Sequence, residues 1–257
     1  MEKLLVLTDI HMTEEGGTII GLDPGARLAE VLAQMTAAHG DATLLVVTGD
    51  LTHHGRAAQY RRLKALLDPL PFPVLLLQGN HDRREGFEAV WPGAPREFLR
   101  DLGGYRLIGL DTTDEPSHAG RLDGGRLERL AAALEGAVGR RAIVFAHHPP
   151  FPTGLPGMDA IRLEKGGAVL DLLARHDVHL ICGHVHRTCS GSARGVPWTM
   201  FKGTCHQAPL DLESWDPSIS VDEPAAYGVL LLGPEGLIAH SEDVLPPRPV
   251  GRDGHEP

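Results

Sequence analysis

Short patches of Asp, Asn and His residues recur along the chain, each directly after a run of apolar residues. The patches are Asp9-Ile10-His11, Gly49-Asp50, Gly79-Asn80-His81-Asp82, His147-His148-Pro149-Pro150 and Gly183-His184-Val185-His186. Each apolar run is typical of a buried parallel strand, so each patch is expected at the carboxyl end of a strand, where open α/β sheets bind ligands. Oxygen and imidazole ligands gathered at one edge indicate a divalent-metal site, with enough ligands for two ions.

The first two patches supply carboxylates and an imidazole. Asp9 and His11 would share one face of an extended chain, with Ile10 pointing into the core. They suit Fe, Mn, Co or Zn, although a lone Asp-x-His is more often structural. Asp50 could bridge two ions about 3.5–4 Å apart, with Gly49 allowing a tight turn. Taken singly, Asp50 would more often be the N-cap of the following helix.

The third patch adds a neutral ligand and a catalytic candidate. The carbonyl oxygen of Asn80 would bind metal without reducing the positive charge available to a phosphate. His81 would then face the substrate, and Asp82 would orient its ring and raise its basicity. A surface turn is the alternative, but it leaves the His-Asp pair unexplained.

The last two patches supply imidazoles. We predict His147 to be a ligand and His148 to support it or to line the pocket wall. His184 and His186 would reach one region from a single strand end. A lone histidine among the 15 of the chain would more often be a solvated surface residue. Five such patches, each at the end of a strand, indicate a functional site rather than a chance grouping.

Alternating strand and helix patterns predict a layered α/β sandwich. The early strands are expected at Leu4–Leu7, Leu44–Val47, Val74–Leu77, Leu107–Leu110, Ile143–Phe145 and His179–Ile181. After His186, we expect antiparallel strands at Val196–Phe201, Tyr227–Leu232 and Leu237–His240 that complete a second sheet. Between them, the acidic, turn-rich segment Asp211–Glu223 is either a loop over the site or a contact between subunits.

Composition limits the class of protein. We expect one domain at residues 1–245, with a core at 1–190 and C-terminal strands within 195–242, followed by a disordered tail at 246–257. The net charge of −10 without clustered Lys and Arg argues against binding of nucleic-acid polymers. Three cysteines without a CxxC pair suit a reducing compartment, and no apolar run approaches the ~20 residues of a membrane span. The sequence therefore predicts a soluble, cytoplasmic protein.

The motif order D-x-H, G-D, G-N-H-D, H-x-P and G-H-x-H resembles the calcineurin-like metallophosphoesterase superfamily over residues 4 to about 186. The chain is similar to bacterial class III cyclic nucleotide phosphodiesterases and glycerophosphodiesterases, and Gly203–Pro209 (G-T-C-H-Q-A-P) resembles the latter branch. The expected fold is a four-layer α-β-β-α sandwich with mixed sheets and a dimetal site at the carboxyl ends of the strands. The segment Asp211–Glu223 and the last hairpin resemble elements that form subunit contacts in this branch, so the resemblance predicts a homo-oligomer.

The resemblance also implies roles for individual residues. It assigns Asp9, His11, Asp50 and His186 to the first metal ion, and Asp50, Asn80, His147 and His184 to the second. It makes His81 the catalytic histidine and places His206 in the substrate pocket. His53 and His54 stand where phosphoprotein phosphatases carry an Asp-Arg pair, which argues against protein dephosphorylation. Their role stays open between support of the ligands and an ordinary helix start, and we favour the helix start.

The predicted activity is hydrolysis of small phosphodiesters, of the glycerophosphodiester or 3′,5′-cyclic nucleotide type, by a metal-bound hydroxide. His81 would donate a proton to the departing alkoxide or hydrogen-bond a phosphate oxygen. Substrate choice would come from the loops Asp111–Leu122 with His118, Pro149–Asp159, and the segment around His206. A phosphomonoesterase or phosphonate monoester hydrolase could use the same metals, whereas a nuclease or a non-catalytic scaffold is disfavoured. The sequence identifies neither the native metals nor the physiological diester.

Overall fold

The structure is a computed structural model that describes residues 1–246. Its strands are β1 (Glu2–Leu7), β2 (Leu44–Val47), β3 (Val74–Leu76), β4 (Phe98–Leu102), β5 (Tyr105–Leu110), β6 (Arg141–Ala146), β7 (Val178–Cys182), β8 (Cys189–Ala193), β9 (Val196–Met200), β10 (Ala226–Leu232) and β11 (Leu237–Asp243). Its helices are α1 (Pro24–His39), α2 (Ala57–Leu67), α3 (Arg84–Glu88), α4 (Gly124–Glu135), α5 (Pro156–Ala160) and α6 (Gly166–Leu173). Aspartate N-caps begin the two longest helices: Asp23 and Asp123 accept hydrogen bonds from the backbone of Gly25 and Arg126.

The strands form two mixed sheets. The first has the order β11-β10-β1-β2-β3, and the second has the order β4-β5-β6-β7-β9-β8. Strands β1 to β3 are parallel, as are β5, β6, β7 and β9, whereas β10, β11, β4 and β8 pair antiparallel with their neighbours. Because parallel strands end at a common edge, each sheet brings its strand-end loops together.

Three hydrophobic clusters divide the molecule into four layers. One packs α1 and α2 on the first sheet, with Leu28 and Leu63 among residues such as Leu5. A second lies between the sheets and joins Leu4 to Phe145. The third packs α4 and α6 on the outer face of the second sheet. Neighbouring residues of one strand enter different clusters, so the strands are apolar on both faces. The predicted four-layer sandwich with mixed sheets is confirmed.

The six early strands all lie within two residues of their predicted bounds. The prediction that the C-terminal strands complete a second sheet together is wrong. Strand β9 joins the second sheet parallel to β7, while β10 and β11 extend the first sheet beside β1. Strands β4 and β8 were not predicted, because β4 contains Arg100 and Asp101 and β8 is the small, polar run Cys189–Ala193.

Two further observations concern the chain as a whole. Within residues 1–246, no helix combines the length and the apolar character needed to cross a membrane. Cys182, Cys189 and Cys205 carry free thiols. The predicted disordered tail lies outside the described residues except for Pro246.

Candidate metal centre

The pairing of the strands brings the predicted ligands together at the carboxyl ends of the parallel strands. Leu7 of β1 pairs with Val47 of β2, so the segments that follow run side by side. There the N–H of Asp9 donates to the carbonyl of Gly49 at 3.1 Å, and the N–H of His11 donates to the carbonyl of Asp50 at 2.9 Å. In the second sheet, Ala146 pairs with Cys182, and His147 and His184 follow soon after. The strand ends of both sheets therefore meet at the site.

Five of the seven predicted ligands adopt a left-handed backbone conformation, with positive φ angles. Asp9, His11, Asp50, His184 and His186 have φ angles of 51°, 50°, 47°, 73° and 54°. Within residues 1–246, only three other non-glycine residues have positive φ. Such conformations are strained and concentrate at functional sites. The predicted extended alternation of Asp9 and His11 is therefore wrong, although Ile10 between them is buried as expected.

The first half of the cluster consists of Asp9, His11, Asp50 and His186. Nε2 of His11 lies 3.0 Å from Nε2 of His186 and 3.3 Å from Oδ2 of Asp50. Nε2 of His186 lies 3.4 Å from Oδ1 of Asp9. The Nδ1–H of His186 donates to the carbonyl of His206 at 3.0 Å, which leaves the Nε2 lone pair directed into the cluster.

The second half consists of Asp50, Asn80, His147 and His184. Nε2 of His147 lies 3.1 Å from Oδ1 of Asn80 and 3.4 Å from Oδ2 of Asp50. Nδ1 of His184 lies 3.0 Å from the same Asn80 oxygen. The Nδ1–H of His147 donates to the carbonyl of Thr48 at 3.0 Å, so its Nε2 lone pair also points inward. Oδ2 of Asp50 contacts both halves, as a bridging ligand requires.

This donor set fits metal ions. All seven side chains are buried, with at most 8% exposed, and buried acceptors that face one another need a cation between them. Burial lowers the pKa of His147, but the Asp50 carboxylate outweighs burial and raises that pKa to about 9. Burial raises the pKa of Asp50, but His147, His81 and His11 together hold it well below its usual value. Carboxylate, amide oxygen and imidazole together suit Fe, Mn, Co or Zn.

Two predictions about the second patch can be judged from the backbone. Asp50 does not cap the following helix, because α2 begins at Ala57 after the N-cap Arg56. Gly49, with a φ of 112°, approaches the site so closely that a Cβ there would lie 2.4 Å from Nδ1 of His147. At Gly79 a Cβ would lie 2.2 Å from Oδ1 of Asp50. Both glycines are therefore required by the packing of the ligands.

His81 lies beside the cluster, with its ring centroid 4.6 Å from that of His11. Its Nδ1–H donates to the carbonyl of His53 at 3.0 Å. The prediction that Asp82 orients this ring is wrong. The Asp82 carboxylate instead accepts five hydrogen bonds. Three come from the backbone N–H groups of Leu51, Thr52 and Gly79, and two come from the hydroxyls of Thr52 and Tyr60. The carboxylate ties the turn after β2 to the turn after β3.

The helix-start interpretation is wrong for His53 and fits His54. Nδ1 of His53 lies 3.3 Å from Nδ1 of His11, and its ring stacks on that of His81 with centroids 5.3 Å apart. Because His11 directs Nε2 into the cluster, its Nδ1–H is the donor to His53. Burial, reinforced by His81 and His54, lowers the pKa of His53 to about 4, which keeps it a neutral acceptor. The exposed His54 donates its N–H to Gln59 in α2.

Comparison with known proteins shows to which family the chain belongs. Residues 2–188 match the model of the calcineurin-like phosphoesterase family. The chain belongs to this family. The resemblance seen in the motifs is thereby confirmed, and with it an enzyme that hydrolyses phosphoric esters with two divalent metal ions.

Individual relatives agree with this assignment. A Rhodopseudomonas palustris protein named "Probable cyclic nucleotide phosphodiesterase" is 37% identical over 249 residues, which cover 93% of this chain and 91% of the relative. The glycerophosphodiester phosphodiesterase GpdQ of Enterobacter lignolyticus is 29% identical over 85% of this chain and 83% of its own length. A dimetal phosphatase from Danio rerio has the same fold, with a TM-score of 0.72, 16% identity and coverage of 95% and 96% of the two chains.

A cleft of about 370 Å³ opens onto the metal cluster of this phosphoesterase. His118 and His206, both predicted to bind substrate, line it, as does His81. Of the two alternatives for His148, a substrate-binding place in the pocket wall is wrong, and support of the ligands fits its ring contacts with His147 and His184. His148 is fully buried, with Nδ1 2.7 Å from Oγ1 of Thr112, and its Nε2–H donates to the carbonyl of His118 at 3.1 Å. It positions the loop that carries His118.

Part of the cleft is formed by residues that carry no motif. They are Ile19, Ile20 and Ile161, together with residues 217–220 of the Asp211–Glu223 segment, whereas Ala208 belongs to the Gly203–Pro209 motif. Residues 217–220 of that segment therefore lie over the site, as the first of its two alternatives predicts. Met158 adds to this lining from the predicted substrate loop Pro149–Asp159. Isolated apolar residues in loops give no sequence signal, except for Ile20-Gly21 at a turn.

Proposed function

We propose that this phosphoesterase hydrolyses small phosphodiesters of the 3′,5′-cyclic nucleotide or glycerophosphodiester type. The observation that carries the proposal is a cluster of metal-binding side chains that opens onto a cleft, whose lining within residues 1–246 contains neither lysine nor arginine. A phosphomonoester dianion would gain from cationic partners there, whereas a diester carries a single negative charge that two metal ions can offset. The names of the two relatives refer to the same two classes of diester.

Each residue of the site has a proposed role. Asp9, His11, Asp50 and His186 would hold one ion, and Asp50, Asn80, His147 and His184 the other. When bound, such ions lower the pKa of water and neutralise phosphate charge. His81 engages Nδ1 with the His53 carbonyl, so its Nε2 is the atom that can deliver a proton to the departing alkoxide.

Two histidines of the lining would contact the substrate. Nδ1 of His118 accepts from the amide nitrogen of Asn80 at 3.0 Å, which leaves its Nε2–H free to donate to a phosphate oxygen. His206, whose carbonyl orients His186, lines the cleft beside the first ion's ligands. Burial lowers the pKa of His206 to about 3, so it would act as a neutral hydrogen-bonding group.

The test compares a diester with a monoester that has the same leaving group. Metal-loaded protein should hydrolyse bis(p-nitrophenyl) phosphate with a kcat/KM roughly tenfold or more above that for p-nitrophenyl phosphate. Chelation should abolish both activities, and added Mn²⁺ or Co²⁺ should restore them. A higher kcat/KM for the monoester would contradict the proposal.

We also propose that residues 1–245 form one domain and that the protein is a cytoplasmic homo-oligomer that acts on small molecules rather than nucleic-acid polymers. The cluster between the two sheets supports the single domain, and the free thiols support a reducing compartment. Leu210, Leu212 and Trp215 are 63%, 61% and 74% exposed, and adjacent exposed apolar residues favour a subunit contact. Light scattering that shows a monomer at micromolar concentration would contradict the oligomer.

A further inference from the structure

The lining of the cleft has a part that the metal chemistry does not use. Besides the ligands, the histidines and the two serines Ser218 and Ser220, it contains the apolar residues Ile19, Ile20, Met158, Ile161, Ala208, Pro217 and Ile219. Among residues 1–246, Asp50, a metal ligand, is the only carboxylate, lysine or arginine in this lining. We call these seven residues the apolar lining. A substrate group that lies against it gains by burial of apolar surface rather than by ion pairing.

Ile20 belongs to a turn that its side chain does not favour. Ile19 and Leu22 exchange two backbone hydrogen bonds of 2.9 Å, which closes a two-residue turn at Ile20-Gly21. The φ angles of Ile20 and Gly21 are 47° and 85°. Two successive positive φ angles are typical of a type I′ turn, which favours Asn, Asp or Gly at the first position. A β-branched residue there is a strained outlier.

Ile20 contributes little hydrophobic packing to the fold. Ile20 is 52% exposed, and Ile219 is 41% exposed. Neither belongs to the three hydrophobic clusters of residues 1–246. Both side chains line the same cleft. A strained, exposed apolar residue at the reaction cleft points to binding, since its energetic cost is not offset by packing.

Building on the proposed diesterase activity, we propose that Ile20 and Ile219 bind a flat, uncharged ester group of the substrate. An aromatic ring or a heteroaromatic base has the apolar faces that such a lining can cover. The hydroxyls of Ser218 and Ser220 already donate to Asp216 and to the Ser218 carbonyl, so the hydroxyls of a glycerol group would lie mainly against apolar side chains. Among residues 1–246, a cationic amino-alcohol group would find no carboxylate in the lining other than that of the metal ligand Asp50. The apolar lining thus makes Ile20 and Ile219 determinants of specificity.

The experiment measures binding of two diesters that differ only in their ester groups. Calorimetry on metal-loaded protein gives Kd for diphenyl phosphate and for dimethyl phosphate. Ile20→Asn should raise Kd for diphenyl phosphate about fivefold, and raise that for dimethyl phosphate by a much smaller factor. Because Asn suits the turn, the same variant should raise Tm by about 2–4 °C. Ile219→Ser should show the same selective loss of binding.

Ile238, which is 51% exposed on β11 and outside the cleft lining, provides the matched control. Ile238→Asn should leave both Kd values unchanged and should not raise Tm, because Asn is disfavoured in strands. Equal losses for both ligands in the Ile20 and Ile219 variants, or no loss, would overturn the inference. Selective binding of diphenyl phosphate by a protein that hydrolyses no diester would instead overturn the proposed function and leave this inference standing.

Discussion

The metal cluster and the apolar lining share one cleft but are built in different ways. The ligands follow parallel strands, are at most 8% exposed, and are oriented by backbone carbonyls such as that of Thr48. Most of the apolar lining comes from loops, with Met158 on α5 as an exception, and its loop residues Ile20 and Ile219 are 52% and 41% exposed. The two sheets therefore fix the position of the reaction, whereas loops that contribute little to the core set what the cleft accepts.

The strongest test of this contrast on the metal side is His81→Ala. The variant should keep both ions, because Nδ1 of His81 contacts a backbone carbonyl rather than the cluster. Turnover of a diester with a poor alkoxide leaving group should fall ~10²–10⁴-fold, and turnover of bis(p-nitrophenyl) phosphate much less. Steady-state kinetics with elemental analysis measures both. His240→Ala is the control, since His240 is exposed on β11 and outside the cleft lining, and the variant should leave both activities unchanged.

Two outcomes would contradict the role of His81 as proton donor. Equal losses on both diesters, with metals retained, would mean that it binds phosphate. Loss of metal would mean that the ligand assignment is wrong.

Asp82→Asn should separate structural support from chemistry. An amide cannot accept all five hydrogen bonds of this buried carboxylate, so the free energy of unfolding should fall by about 2–4 kcal/mol. Any loss of activity should be equal on diesters with good and poor leaving groups. Urea denaturation gives the stability, with the exposed Asp68→Asn as control. A leaving-group-dependent loss without destabilisation would show that Asp82 acts through His81.

The same contrast explains how much could be predicted from the sequence. Strand-end motifs such as Gly79–Asp82 combine a local pattern with a fixed position in the sheet, so they predicted the fold and the side chains that the structure brings together. The partner of a side chain is a tertiary property: Asp82 follows His81 in sequence but bonds to Leu51 and Tyr60. Hydrogen bonds to backbone carbonyls, such as that from Nδ1–H of His147 to the carbonyl of Thr48, likewise cannot be predicted from the sequence, because every residue type has a carbonyl.

The smallest expected effect concerns catalysis by the loop variant Ile219→Ser. Removal of part of the apolar lining should raise KM for bis(p-nitrophenyl) phosphate about threefold and leave kcat and metal content nearly unchanged. Ile238→Ser, outside the cleft lining, is the control. A fall in kcat at constant KM would mean that the Asp211–Glu223 loop acts on the metal cluster. That result would contradict the claim that the apolar lining affects binding alone.

The central claim is that seven strand-end residues hold two ions bridged by Asp50. Elemental analysis of purified, metal-saturated and desalted protein tests it most directly, with Asp68→Ala as a matched control far from the ligand set. The wild type and the control should carry two ions per chain. Asp50→Ala should carry fewer than one, because Oδ2 of Asp50 lies against His11 of one half and His147 of the other. Two ions retained in Asp50→Ala would contradict the account.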